Sequence, residues 1–198
     1  MRKIWLVLLA VTAVIQILSF GSIAFAADER PAIDISGHPI KGPANALVTV
    51  IVFSDYLCPA CRRLEPVLHQ VLEKYPNDVK LVHKLCTHHD FSREAAAAAY
   101  AAWDQDKFWE YHDRLFENQM VLNKPKVTAI AKELQLDLKR FNKKIKDPAI
   151  QKLIDRDMAD VSRLGLLGTP TVYVNGKVLE DRSLQGFRAA IESELDRQ

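Results

Sequence analysis

Residues 47–53, Leu-Val-Thr-Val-Ile-Val-Phe, are almost continuously apolar, and the run over 47–54 predicts a buried strand. From Cys58 to Tyr75 the pattern changes period. Leu64, Val67, Leu68, Val71 and Leu72 recur at helical spacing, with Pro66 inside as an expected kink. Pro76-Asn77-Asp78 reads as a turn. Residues 79–85 then alternate, with Val79, Leu81 and His83 on one side and Lys80, Val82 and Lys84 on the other. Strand, helix and strand form a βαβ unit, for which a right-handed crossover is expected. Residues 91–164 carry no convincing strand. The alanine run at 95–99 is a strong helix former. Helical patterns follow at 107–118, 127–134, 138–145 and 150–164, with Asn123-Lys124-Pro125 and Asp147-Pro148 as breaks. Trp103, Phe108, Trp109 and Phe116 read as core residues of this block. Two short strands, 171–174 and 177–179, flank Asn175-Gly176, a strong hairpin signal. A last helix is expected over 184–195, with Ser183 as its N-cap.

The chain starts differently. Arg2 and Lys3 precede an apolar stretch from Ile4 to about Leu18, then small residues and Ala24-Phe25-Ala26. This order is that of a secretory signal peptide cut after Ala26. An uncleaved anchor is the alternative, because residues 4–26 are long enough to span a bilayer. Residues 27–46 form an extended, turn-rich lead with Pro31, Gly37, Pro39, Gly42 and Pro43. Composition changes little. The chain is 48% hydrophobic, enough for one sizeable core, and its formal net charge of +2 falls to about zero without Arg2 and Lys3. Nothing there points to nucleic acid or an acidic membrane surface. The basic cluster at Lys139, Arg140, Lys143, Lys144 and Lys146 reads as a solvated helix face.

The chemistry sits at Cys58-Pro59-Ala60-Cys61, between the first strand and its helix. A helix N-terminus offers unpaired N–H groups and partial positive charge, which stabilise a thiolate. Cysteines so placed can have pKa values of roughly 3.5–7.5. Pro59 suits the first turn, where its missing N–H has no helical partner. Half a zinc site is the alternative. The chain has only 3 cysteines, but His83 and His88 fit the spacing of a second pair. The third thiol, Cys86, opens Cys-Thr-His-His-Asp. It reads as a half-buried thiol packing like a small apolar residue, as a partner in an intermolecular disulfide, or as a metal ligand with His88 or His89.

Three segments carry a resemblance: Phe53-Ser54-Asp55-Tyr56-Leu57-Cys58-Pro59-Ala60-Cys61, Lys107-Phe108-Trp109-Glu110-Tyr111-His112, and Gly168-Thr169-Pro170-Thr171 with Val174-Asn175-Gly176. From about residue 40 onward the chain resembles the DsbA-like thiol–disulfide oxidoreductases. The resemblance implies an α/β thioredoxin-like fold, a central mixed sheet with flanking helices, carrying an inserted helical domain. Residues 27–90 and 165–198 would form the thioredoxin-like part and 91–164 the insertion. It assigns Cys58 as nucleophile, Cys61 as resolving cysteine and Pro170 as a cis-proline that leaves Thr169 free to pair with an extended substrate.

Two departures matter. Many members carry a buried acid six positions before the first cysteine, where this chain has Val52. Asp55 should face away from the dithiol, so protons would reach Cys61 through water. Ala60 stands where the strongest oxidases have histidine, which predicts a weaker oxidant. The expected protein is an exported enzyme that needs no cofactor, because the cysteine pair carries the electrons, and works as a monomer, since no separate dimerisation segment is evident. Cysteine-containing exported proteins would be its substrates, and a membrane redox partner would recycle it. A reductase or isomerase using the same residues, and a copper-binding thioredoxin-like metallochaperone, are the rival readings.

Overall fold

A computed structural model describes residues 30–197. The expected signal segment lies outside the described residues. β1 (Ile40–Lys41), β2 (Val48–Ser54), β3 (Val79–Leu85), β4 (Thr171–Val174) and β5 (Lys177–Val178) form one mixed sheet in the order β1-β3-β2-β4-β5. β2 and β3 are parallel, with Val48 opposite Val79 and Val52 opposite His83. β1 lies antiparallel to β3, and β4 antiparallel to β2.

Helix α1 (Pro59–Lys74) is the crossover between the parallel strands and runs through Pro66. The helices α2 (Ser92–Trp103), α3 (Phe108–Glu117), α4 (Lys124–Glu133), α5 (Leu138–Ile145) and α6 (Pro148–Arg163) follow, and α7 (Leu184–Leu195) closes the chain. The central strands are buried on both faces, as continuous apolar runs require. Val48, Val50 and Val52 pack with Leu64 and Leu68 of α1 and Phe187 and Ile191 of α7. Ile51 and Phe53 face the other way, onto Val161 of α6 and Tyr173. Ala95–Ala102 are buried in a separate helical core that reaches Tyr56, Cys58 and Cys61. Small side chains let the neighbouring helices approach α2 closely.

Several expectations are corrected. The turn-rich lead contributes β1, too short to leave a period. The two Pro-containing breaks are helix starts. Pro125 and Pro148 sit in first turns, behind Asn123 and Asp147, whose side chains accept from the N–H groups of Lys126 and Ala149. Lys84, read as polar alternation, is fully buried. Its Nζ lies 3.0 Å from Asp157 and 3.1 Å from Asp160, and it donates to the Asp34 carbonyl at 2.9 Å. Trp103 is 38% exposed and Trp109 is partly exposed, whereas Phe108 and Phe116 are buried. The hairpin turn has φ of 44° at Asn175 and 81° at Gly176, the positive pair that an Asn-Gly turn supplies.

Candidate active site

Cys58 is the N-cap of α1 and Pro59 its first helical residue. The Cys58 side chain offers the helix no capping hydrogen bond, so its sulfur stays available. Pro59 is exposed and Ala60 half-buried. Cys61 lies one turn into the helix and is 1% exposed, against 8% for Cys58. Across from them the Thr169–Pro170 peptide is cis, and the Cys58 thiol donates to the Thr169 carbonyl at 3.3 Å. Cys58, Thr169 and Pro170 thus converge from chain positions more than a hundred residues apart.

The two thiols differ in acidity. Burial pushes Cys58 up, but hydrogen bonding with Thr169, and then with Cys61 and Ala60, outweighs it and brings the thiol below its ordinary value. Burial pushes Cys61 up to about 12 against the opposing Asp55 N–H, which lies 3.5 Å from Sγ. One thiol is the readier thiolate and the other the stronger base.

The Asp55 carboxylate is turned away from the dithiol. It accepts from the N–H groups of Leu57 (2.8 Å) and His88 (3.0 Å) and the Ser92 hydroxyl (2.7 Å), and pairs with His89 Nδ1 at 2.9 Å. His89 is thereby engaged. Cys86 is fully buried rather than half-buried, and burial raises its thiol. That burial removes it from intermolecular pairing. The structure does not bring Cys86, His88 and His89 together as ligands, nor Cys58 and Cys61 with His83 and His88. Among the described residues, the one such grouping joins Glu65, His83 and His112.

Sequence reading missed several neighbours of the site. Glu65 is buried four residues after Cys61, on the same side of α1. A lone acid on an apolar helix face was its only signal. Burial raises its carboxyl, while His83 opposes that in part. Burial holds His83 and His112 neutral, each lowered to about 3. Gln119, in the 3₁₀ turn Gln119–Val121, donates to the carbonyls of Tyr56 (2.8 Å) and Cys58 (3.0 Å). Met120 and Val121, next to Gln119 in the chain, and Leu167, two residues before Thr169, expose large apolar side chains.

A family model described as Thioredoxin matches residues 35–193. Among curated relatives, the Na(+)/H(+) antiporter NhaA 1 of Salinispora arenicola is 37% identical over 150 residues, 73% of this chain and 22% of that protein. The chain thus spans about a fifth of the length of that relative. Disulfide bond formation protein D of Bacillus subtilis is 32% identical over 177 residues, covering 81% of this chain and 78% of that one. The crystal structure of oxidised BdbD from Bacillus subtilis superposes with a TM-score of 0.76 at 26% identity, covering 84% of this chain and 97% of the other.

Proposed function

Because the chain belongs to the thioredoxin family, in its DsbA-like thiol–disulfide oxidoreductase branch, we propose that it is a disulfide oxidase acting on exported proteins through Cys58 and Cys61. The observation that carries this reading is the placement of Cys58 at the start of α1 against the Thr169–Pro170 segment. In the oxidised enzyme, a substrate thiolate attacks Cys58 Sγ. The Cys58–Cys61 bond breaks, and the electron pair leaves on Cys61, which takes up a proton because its thiol is so basic. A second substrate thiolate attacks the substrate sulfur of the mixed disulfide. Cys58 leaves as the thiolate, favoured by its lowered pKa. Two electrons pass to the enzyme and the substrate gains one disulfide.

The backbone beside cis-Pro170 can receive an extended substrate segment, in the manner of an added strand. Met120, Val121 and Leu167 offer apolar contact to a chain not yet folded. A membrane-bound redox partner would reoxidise the dithiol, and the enzyme would work as a monomer outside the cytoplasm. Export is supported by the basic, apolar and small-residue order of the first 26 residues. No helix among the described residues is long and apolar enough to cross a membrane.

The test is the reduction potential of the pair in the purified protein, equilibrated with glutathione buffers beside a Cys86→Ser variant. A value toward roughly −120 mV supports a disulfide donor, and one near roughly −270 mV marks a reductase instead.

A further inference from the structure

Among the described residues, one buried histidine has neither ring nitrogen in a hydrogen bond. His83, on β3, is fully buried, and neither Nδ1 nor Nε2 has a hydrogen-bond partner. A neutral imidazole carries one N–H and one lone pair. Burying both unpaired costs free energy that native interiors avoid. Beside it the buried Glu65 leaves Oε1 unpartnered as well. These groups face one another: His83 Nε2 lies 3.9 Å from Glu65 Oε1, and His112 Nε2 lies 3.2 Å from Glu65 Oε2. The three donor atoms all lie within 4.8 Å of each other.

The geometry points to a buried zinc-type divalent cation site formed by Glu65, His83 and His112, distinct from the dithiol. Two imidazole nitrogens and a carboxylate oxygen form a donor set that zinc takes with three protein ligands and one further position. Zinc bonds of about 2.0–2.1 Å put tetrahedral ligands roughly 3.3 Å apart, so from separations within 4.8 Å the side chains need close by at most about 1.5 Å. The supporting contact is present too. Tyr56 Oη lies 2.9 Å from His112 Nδ1, which aims Nε2 at Glu65. With a metal on Nε2, the imidazole proton moves to Nδ1 and the tyrosine oxygen accepts it, as outer partners of metal-bound histidines do. A cleft of about 250 Å³, lined by Arg62, His69, Asp113 and Glu117, reaches one of the three ligands, Glu65.

The structure assigns the three ligands to separate elements. Glu65 is on α1, His83 on β3 and His112 on α3, the last within the Phe-Trp-Glu-Tyr-His segment that disulfide exchange does not use. A cation there would tie sheet, crossover helix and helical block at one point. The site does not depend on the proposed redox activity.

The test titrates the full purified protein with Zn²⁺ and Co²⁺ after its Cys58–Cys61 pair has been oxidised, so that the dithiol cannot ligate. One equivalent should bind. Cobalt should give visible d–d bands without thiolate charge transfer, and zinc should raise the thermal midpoint. Glu65→Gln, nearly the same shape, and His83→Gln should each remove that equivalent while circular dichroism stays unchanged. Tyr56→Phe should weaken binding about 10–100-fold. The site is overturned if the oxidised protein binds no stoichiometric ion. It is equally overturned if both Gln variants fold and bind like the parent, which would place the ion on surface groups such as His69 and Asp113.

Discussion

Cys58 and Cys61 are three residues apart and chemically unlike, because one caps α1 at its rim and the other is sealed beneath it. Replacing Cys58 with Ser should abolish disulfide transfer, whereas Cys61→Ser should trap substrate as a mixed disulfide on Cys58, visible on non-reducing gels. The split acidity also has a pH signature. Below the lowered Cys58 value the reduced pair holds two protons, and between it and about 12 it holds one. The potential should therefore fall with pH by about 59 mV per unit at first, then by about 30 mV per unit once Cys58 ionises. Equilibration across a pH series reads the break, and a slope of about 59 mV per unit that persists up to the ordinary thiol value of 9.0 would refute the lowered value. The dithiol was legible in the sequence because its spacing is local. Glu65 and His83 were not, because what makes them unusual is their meeting across α1 and β3.

Between elements, the buried charge at Lys84 has the largest consequence. Asp157 on α6 accepts from Lys84, from the N–H of Leu85 (2.7 Å) and from Tyr100 Oη (2.8 Å), and pairs with His38 Nε2 at 2.7 Å. One carboxylate thus binds α6 to β3, to α2 and to the lead before β1. Burial pushes Asp157 up, but the hydrogen bonds and charges of His38 and Lys84 prevail and hold it below its ordinary value. A carboxyl lowered in the fold contributes stability above its unfolded pKa of about 3.9 and loses it as pH falls through the folded value. Lys84→Met should strand the carboxylates and cost about 3–5 kcal/mol at pH 7, a deficit that shrinks at pH 4 as the stranded carboxylates take up protons. Urea melts at pH 7 and pH 4 measure both. Gly186 makes a second such point. A Cβ there would fall onto the Asp181 carbonyl oxygen. Gly186→Ala should cost about 1–3 kcal/mol by displacing the start of α7, read as a lowered urea midpoint. Helices and hairpin were legible from period, caps and the Asn-Gly pair. β1 was not, since two residues carry no period, and Lys84 was not, since its partners lie fifty or more positions away.

At the scale of the whole molecule, the redox state and the stability of the fold are linked by one cycle. An oxidase whose disulfide is less stable than that of its unfolded chain must be more stable reduced, and each 30 mV of that difference corresponds to about 1.4 kcal/mol. The reduced protein should therefore unfold at higher urea than the oxidised protein. The opposite order would count against disulfide donation. The resemblance implied the mixed sheet, and the run of helical patterns between the two strand-bearing halves anticipated its helical companion. Their joint was not. Gln119 reaches from the helical block to hold the carbonyls of Tyr56 and Cys58, 61 positions away from the cysteine. That amide makes the loop bearing the reactive sulfur a shared wall of two rooms. When a client chain hangs from Cys58 by a covalent bond, its tug is not absorbed by a loose strap but divided between sheet and helices, and the sulfur keeps its aim under load.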